Sequence, residues 1–285
     1  MKWCIGILIM LFIGMVARIC YENTHFTITR YEITSKEFPK GFRSCKLVFL
    51  SDLHNSQFKK QDLFEAIKKE QPDVILIGGD MIVGKKETTM EPAFSLLHKL
   101  KKLNVPIYYG MGNHEYRLKI YQEQYGDMFT KLQDKLKELS IPLLENSKVT
   151  LQKGVNLFGL EIDRSYYKRF KRPKMEETYI EEVLGKCPRE DYNILLAHNP
   201  IFFHQYVNWG ANLTLAGHMH GGMVRIPFLG AILSPQLRLF PNFTAGLYEK
   251  ENKKMLVSRG LGSHTIRIRF MNVPELMVIQ LKEEQ

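Results

Sequence analysis

The feature that most constrains this 285-residue chain is a pattern that occurs five times, in which a short apolar run stops and a cluster of Asp, His or Asn begins. Apolar runs of this length are typical of strands whose two faces are both covered. They occupy residues 46–50, 74–77, 106–109, 193–197 and 213–215. Ligands of open α/β sheets bind beyond the carboxyl ends of the strands. We therefore expect the five clusters to converge on one edge.

Amphipathic segments between the runs predict helices over residues 60–70, 93–103, 128–139 and 176–184, with Asp127 as a helix cap. Further strands are predicted at residues 148–152, 156–160, 254–258, 265–269 and 276–281. Strands that alternate with helices in this way indicate an α/β fold.

The clusters contain side chains that bind divalent metals. They are Asp52, His54, Asp80, Asn113, His198, His218 and His220. Asp52 and His54 lie two residues apart, so in an extended segment both would point to the same side. Asp80 has two carboxylate oxygens, enough to bridge two cations. Imidazole and carboxylate ligands suit Mn, Fe, Zn or Ni.

This many ligands exceeds what one cation needs and is sufficient for two that share Asp80. Two metals ~3.5–4 Å apart are typical of phosphoester hydrolysis, in which they lower the pKa of a bridging water and hold the phosphoryl oxygens. The resulting hydroxide would attack the phosphorus. The sequence therefore predicts a dinuclear phosphohydrolase, with manganese as the favoured metal.

The ordered blocks of the chain resemble the calcineurin-like metallophosphoesterases over residues 46–281. The blocks are Asp52-Leu53-His54, Gly79-Asp80, Gly112-Asn113-His114-Glu115, His198 and Gly217-His218-Met219-His220. The tail and the apolar amino terminus are similar to the membrane-associated YkuE/YaeI-type branch. The tail blocks are Gly221-Gly222, Ser234-Pro235 and Ser258-Arg259-Gly260-Leu261-Gly262. That branch also resembles enzymes that cleave the pyrophosphate of UDP-diacylglucosamine.

The resemblance implies an α/β fold that is a four-layer αββα sandwich, with two mixed β-sheets flanked by helices. It assigns one metal to Asp52, His54, Asp80 and His220, and the other to Asp80, Asn113, His198 and His218. His114 would protonate the leaving oxygen or stabilise charge on the phosphate. Glu115 is expected to support the site rather than react. Met219 is expected to point away from the metals.

The amino-terminal segment indicates a membrane anchor. Residues 3–17 carry no charge, and Arg18 could extend its head to the interface so that the span reaches Tyr21. A cleaved signal peptide is the competing interpretation, although residues 18–20 form a poor cleavage site. We expect an uncleaved anchor over residues 1–21, leading strands over residues 22–45 and a catalytic domain over residues 46–285.

The net charge of +10 suggests an anionic partner. A basic and aromatic insertion over residues 164–174 could be a solvated loop, a membrane-surface patch or a substrate contact. An apolar stretch over residues 228–240 either packs on a sheet or forms a lip beside the metals. Four Cys without a pairing pattern exclude a disulfide scaffold.

Together these features predict a membrane-associated hydrolase acting on a phosphodiester or pyrophosphate, of a phosphorylated small molecule or a lipid-linked compound. The catalytic domain is expected on the extracytoplasmic side. A nuclease, a general phosphomonoesterase and a non-catalytic scaffold are the alternatives. The anchor and the lack of a base-stacking platform disfavour nucleic acid as the partner.

Overall fold

The structure is a computed structural model, and it describes residues 2–58, 60–86, 88–168, 173–234, 238–263 and 268–284. The helices are α1 Lys2–Glu22, α2 Leu63–Glu70, α3 Glu91–Lys101, α4 Asn113–Ile120, α5 Gln122–Tyr125, α6 Met128–Glu138, α7 Tyr179–Leu184 and α8 Phe203–Trp209, with 3₁₀ turns at Arg164–Tyr167 and Pro200–Phe202. The first strands are β1 Thr27–Ser35, β2 Cys45–Leu50, β3 Val74–Ile77, β4 Ile107–Gly110, β5 Leu143–Leu144, β6 Ser147–Gln152 and β7 Val155–Leu160. The remaining strands are β8 Tyr192–Ala197, β9 Leu213–Ala216, β10 Val224–Ile226, β11 Gly230–Leu233, β12 Gly246–Lys250, β13 Lys253–Val257 and β14 Glu275–Glu283.

Two six-stranded mixed sheets form the centre of the molecule. Sheet 1 has the order β1-β14-β2-β3-β4-β5, and only its β14–β2 pair is antiparallel among the described pairings. Sheet 2 has the order β12-β13-β9-β8-β7-β6, with antiparallel pairs at its two edges. The parallel strands β2, β3 and β4 of sheet 1 and β8 and β9 of sheet 2 end toward the polar clusters, as the sequence pattern predicts.

Three apolar layers hold the sheets and helices together. Along β2, Leu47 and Phe49 pack between the two sheets, whereas Val48 and Leu50 pack under the helices α2, α3, α4 and α6. A third layer joins sheet 2 to α7 and α8. Each fully buried aliphatic side chain contributes roughly 1.5–3 kcal/mol. The result is the predicted four-layer αββα sandwich.

Helix α1 lies outside this sandwich. Its side chains from Trp3 to Ala17 are exposed, while Glu22 at its end is fully buried. The stretch Trp3–Glu22 is long enough to cross a membrane, and its most apolar 18 residues have a mean hydropathy of 2.3. By length and composition, this helix matches the predicted anchor.

Several predicted elements differ in their boundaries. Helix α2 begins at Leu63 rather than at residue 60, because the Asp62 side chain accepts hydrogen bonds from Phe64 N and Glu65 N and caps the helix there. Helix α7 begins at Tyr179 rather than at residue 176. Asp127 precedes α6 as predicted but makes no capping hydrogen bond.

Other differences concern whole elements. Helix α4 was not predicted, because its sequence has almost no apolar face. The hairpin of β10 and β11 and strand β12 were not predicted either, because their sequences lack a clear alternating pattern. The predicted strand over residues 265–269 falls largely outside the described residues, and residues 268 and 269 are not in a strand.

Candidate metal centre

Sheet 1 supplies its part of the centre through the turns that follow β2 and β3. Asp52, His54 and Asp80 have φ angles of 54°, 49° and 54°, in the left-handed region that non-glycine residues rarely adopt. The expectation of an extended Asp52–His54 segment is therefore wrong. The two turns are instead joined by a hydrogen bond from His54 N to Asp80 O, 3.0 Å long. Strained backbone of this kind is concentrated at functional sites.

Sheet 2 completes the centre from the opposite side. His198 follows β8, and His218 follows β9 with φ of 67°. The N–H of His218 donates to both carboxylate oxygens of Asp52, at 3.1 Å each. The strand ends of the two sheets thus meet, and all five predicted clusters converge.

Three side chains form a first group of ligand atoms: Asp52, His54 and His220. His220 Nε2 lies 3.3 Å from Asp52 Oδ1 and 3.1 Å from His54 Nε2. The other ring nitrogen of His220, Nδ1, lies 3.2 Å from the carbonyl oxygen of Gly262. With its proton at Nδ1 donated to that oxygen, the ring presents the Nε2 lone pair as a possible cation ligand.

A second group consists of Asp80, His198 and His218. His198 Nε2 lies 3.2 Å from Asp80 Oδ2, and its Nδ1 is 2.7 Å from the carbonyl oxygen of Gly78. That carbonyl fixes the ring orientation in the same way as Gly262 does for His220. His54 Nε2 is 3.9 Å from Asp80 Oδ2, so Asp80 lies between the two groups.

The donor atoms fit a pair of divalent cations. Asn113 Oδ1 is buried and has no hydrogen-bond partner among the described residues. A metal ligand is expected to have such an oxygen, because a bound cation would take the place of a hydrogen-bond donor. Asn113 precedes His114, whose N–H donates to Asp80 Oδ1 at 2.7 Å. Imidazole, carboxylate and amide donors in these groups suit hard or borderline metals.

Electrostatics support the same conclusion. Burial raises the pKa of Asp52 to about 6, a shift that nearby His198 opposes and Asp80 reinforces. Burial also disfavours the charge of Asp80, but His198 and His114 hold the pKa of this carboxyl well below its usual range. Burial disfavours protonated His198, yet the two carboxylates raise its pKa to about 10. The two buried carboxylates therefore strongly favour positive charge between them.

His114 lies at the edge of the centre. Its Nδ1 accepts a hydrogen bond of 2.8 Å from the N–H of Gly84, and its Nε2 lies 4.0 Å from Asp80 Oδ2. Because Nδ1 is an acceptor, the neutral ring carries its proton at Nε2. His114, His54 and Asp80 also form a third group of ligand atoms, so this imidazole is within reach of a cation.

Glu115 organises the turns beneath the ligands, and the expectation of a supporting role is confirmed. It is fully buried, and its carboxylate accepts from Asp80 N at 2.7 Å, Met81 N at 2.9 Å and the Tyr109 hydroxyl at 2.8 Å. It also accepts from Gly112 N at 3.2 Å. These bonds hold the left-handed turn at Asp80.

Two glycines allow the backbones to approach the ligands closely. A Cβ at Gly217 would lie 2.2 Å from Asp52 Oδ2, and a Cβ at Gly112 would lie 2.2 Å from Asp80 Oδ1. A side chain at either position would collide with the Asp52 or Asp80 carboxylate of the candidate centre. Both glycines belong to the motif blocks of the sequence, where this steric reason was not visible.

A buried polar network that the sequence did not reveal joins α1 to the centre. The side chain of Asn272 donates to His220 O at 2.7 Å, while its backbone N–H donates to the carboxylate of Glu22 at 3.0 Å. Arg269 is buried beside it and donates to Arg259 O at 2.8 Å and to Gly262 O. No local pattern marks residues 269 and 272, because their partners are distant in sequence.

A cavity of about 760 Å³ lies beside the centre. Tyr167 packs edge-on against His218, with 5.0 Å between ring centroids, and lines the cavity together with Met219, Lys168 and Lys174. Met219 is buried and lies within a tight turn, with its N–H 2.7 Å from Gly217 O, rather than in the extended segment that was expected. Residues 169–172 of the basic insertion lie outside the described residues.

Comparisons with known proteins agree with this geometry. Residues 45–222 match the family described as calcineurin-like phosphoesterase. The chain is 30% identical over 267 residues to the uncharacterized metallophosphoesterase YkuE of Bacillus subtilis, covering 89% of this chain and 85% of that protein. The family resemblance inferred from the motifs is therefore confirmed.

The names of two further relatives refer to a substrate and to a membrane. The UDP-2,3-diacylglucosamine pyrophosphatase LpxG of Chlamydia muridarum is 25% identical, covering 85% of this chain and 86% of that protein. A transmembrane protein with metallophosphoesterase domain from Danio rerio is 26% identical, covering 88% of this chain and 56% of that protein. The chain thus belongs to the calcineurin-like phosphoesterase family, as a metal-dependent phosphoester hydrolase with a dinuclear site for divalent cations.

Proposed function

We propose that this protein is a membrane-anchored hydrolase of phosphodiester or pyrophosphate bonds in lipid-linked substrates. The observation that carries the proposal is the pair of adjacent Asp/His groups, with Asp80 between them, beside a large cavity. The proposed ligands are Asp52, His54, Asp80 and His220 for one cation and Asp80, Asn113, His198 and His218 for the other. Two bound cations would supply Lewis-acid charge and lower the pKa of a coordinated water, with manganese as the metal we favour over Fe, Zn or Ni.

The residues of the chain position the substrate and the proton. His114 presents Nε2–H toward the space next to Asp80, held there by the Gly84 N–H on its other nitrogen. This tautomer favours a hydrogen bond to a phosphoryl or leaving oxygen over full proton transfer from an imidazolium. Of the two roles considered for His114, we therefore propose charge stabilisation.

The cavity favours a substrate with an apolar portion. Aromatic and aliphatic side chains line it, including Tyr167, Met219, Leu239 and Phe240, and Lys168 and Lys174 add positive charge. A phosphate or pyrophosphate held at the ligand cluster would have its acyl chains beside these residues. The name of the LpxG relative describes such a substrate.

The anchor belongs to the same proposal. We assign residues 1–21 to the anchor, residues 22–45 to leading strands and residues 46–285 to the catalytic domain, with that domain outside the cytoplasm. The exposed, uncharged side chains of α1 support the anchor. Protease added to sealed right-side-out vesicles should degrade the catalytic domain; complete protection would place it on the cytoplasmic side.

The metal centre is tested with full-length protein in detergent. Asp80→Asn should lose bound metal, measured by elemental analysis, and hydrolysis of bis-p-nitrophenyl phosphate with Mn²⁺ should fall by about 10³-fold or more, because both cation sites share this carboxylate. Asp134→Asn, on the exposed face of α6, is the matched control and should retain both. No turnover by the wild type with any divalent metal would refute the enzyme proposal.

The substrate class is tested by comparing UDP-2,3-diacylglucosamine with UDP-N-acetylglucosamine, which lacks the long acyl chains. We expect a kcat/KM at least about tenfold higher for the lipid, because apolar chains would bind in the cavity. Equal values would contradict the lipid preference. A higher kcat/KM for single-stranded DNA or p-nitrophenyl phosphate would identify the nuclease or phosphomonoesterase alternative.

A further inference from the structure

A small apolar projection stands beside the cavity. We call it the lip, and it consists of β10, β11, the turn between them and residues 238–240. Strands β10 and β11 pair antiparallel, and residues 238–240 pair with the outer edge of β11 through a hydrogen bond from Phe240 N to Ile232 O at 2.9 Å. The described part of the lip is therefore a two-stranded hairpin with one further β-bridge at its outer edge, rather than an irregular loop.

The lip exposes its largest apolar side chains. Phe228 is 107% exposed, Leu229 and Leu239 are each 69% exposed, and Phe240 is 66% exposed. Outside α1, no other large hydrophobic side chain in the described part of the chain exceeds 60%. A concentrated apolar patch of this kind marks an interaction surface.

The backbone gives a second, independent indication. Phe228 and Phe240 have φ angles of 68° and 45°. Bulky residues are disfavoured in this left-handed region, where Gly or Asn would fit without strain. Neither aromatic gains core packing in return, since both rings are exposed. No contact within the described part of the chain explains two strained and exposed phenylalanines.

The lip is joined at its base to the end of the anchor. Phe270 pairs with Val224 and exchanges backbone hydrogen bonds with Met223 and Arg225 at 3.0 Å each, so it holds the root of β10. Two residues later, Asn272 donates to the Glu22 carboxylate at the end of α1 and to Gly222 O. Residues 270–272 thus connect the root of the lip to the end of α1.

We propose that the lip is a second membrane contact, which inserts Phe228 and Leu229 into the bilayer and holds the cavity mouth at the level of the headgroups. This inference rests on the anchor proposed above. Leu239 and Phe240 belong to both the lip and the cavity wall, so a lipid could pass from the bilayer along them toward the ligand cluster. Lys168, Lys174 and Arg238 line the same cavity and suit phosphate-bearing headgroups.

The test uses full-length protein reconstituted in vesicles of phosphatidylethanolamine and phosphatidylglycerol, with or without brominated acyl chains. Phe228→Trp adds a fluorescent reporter at the lip. Side chains of interfacial elements lie ~5–10 Å into the headgroup/acyl boundary, so brominated chains should quench the added emission roughly twofold. Leu247→Trp, on β12 and 45% exposed, is the matched control and should be quenched only by aqueous acrylamide.

The two native tryptophans separate the possible failures. Trp3 lies in α1 and is 88% exposed, whereas Trp209 is buried in the core. If brominated chains quench the wild type through Trp3 but not the emission added by Phe228→Trp, the anchor stands and the lip proposal is wrong. If they quench neither, the anchor proposal is also wrong. Hydrolysis of bis-p-nitrophenyl phosphate in the same samples tests the enzyme proposal separately.

Discussion

The ligand cluster, formed by the proposed metal ligands, and the lip are neighbouring regions that share one backbone feature in different surroundings. Both hold non-glycine residues at positive φ. In the cluster, at Asp52, Asp80 and His218, the strained turns are buried and fixed by hydrogen bonds from both sheets. In the lip, the residue with the strained backbone, Phe228, has an exposed side chain. The cluster fixes atoms for chemistry, whereas the lip presents a surface to a partner outside the chain.

After loss of the Asp80 carboxylate, the largest effect is expected from removing the donor at the edge of the cluster. His114→Ala should lower turnover of bis-p-nitrophenyl phosphate by about 10²–10³-fold while bound metal is retained, because one preorganised donor is lost. Steady-state kinetics and elemental analysis measure the two quantities. His98→Ala, on the exposed face of α3, is the control. A loss of metal would instead make His114 a ligand, as the third group allows.

The next effect comes from filling the space between backbone and ligand. Gly217→Ala should reduce turnover by about 100-fold. The added Cβ would lie 2.2 Å from Asp52 Oδ2 and would displace this carboxylate. A displacement of about 1 Å in an active site can lower the rate by about 100-fold. Gly14→Ala, where a Cβ meets no atom within 4 Å, should leave turnover unchanged. Wild-type kinetics for Gly217→Ala would show that the cluster tolerates displacement.

A smaller effect is expected from the network between the anchor and the cluster. Asn272→Ala removes the hydrogen bonds to His220 O and Gly222 O, so metal affinity should fall by roughly 10-fold. Titration with Mn²⁺ monitored by activity gives the apparent Kd. Asn208→Ala, at an exposed position, should leave that Kd unchanged. An unaltered Kd for Asn272→Ala would show that the hydrogen bonds of Asn272 do not support metal binding.

The smallest effect is expected at the tip of the lip. Phe228→Gly should raise the free energy of unfolding by up to about 1 kcal/mol, because relief of roughly 1–2 kcal/mol of left-handed strain at φ of 68° exceeds the roughly 0.5–1 kcal/mol of conformational entropy that glycine adds to the unfolded chain. Thermal unfolding in detergent measures the change, with Phe49→Ala in the core as a control expected to lose about 3–5 kcal/mol. A clear destabilisation by Phe228→Gly would mean that the ring packs on the protein.

The order of strands and clusters could be predicted because burial on both faces forces apolar runs, and because chain order places polar residues where those runs stop. Strand β3 was located to the residue, and β2 and β8 to within one residue. Helix α4 was not predicted, because it has almost no apolar face and is stabilised by tertiary contacts through His114, Glu115 and Leu118. Local pattern carries little information about such a helix.

The sequence by itself determined the family, the layered fold and the set of Asp, Asn and His side chains available to bind metal, because these depend on residue type and order along the chain. Only the tertiary structure decided how they meet: through left-handed turns rather than extended segments, with Glu115 beneath them and Asn272 connecting them to α1. Those contacts join residues up to 250 positions apart, as between Asn272 and Glu22. Only folding the chain brings such partners together, so no local pattern records them.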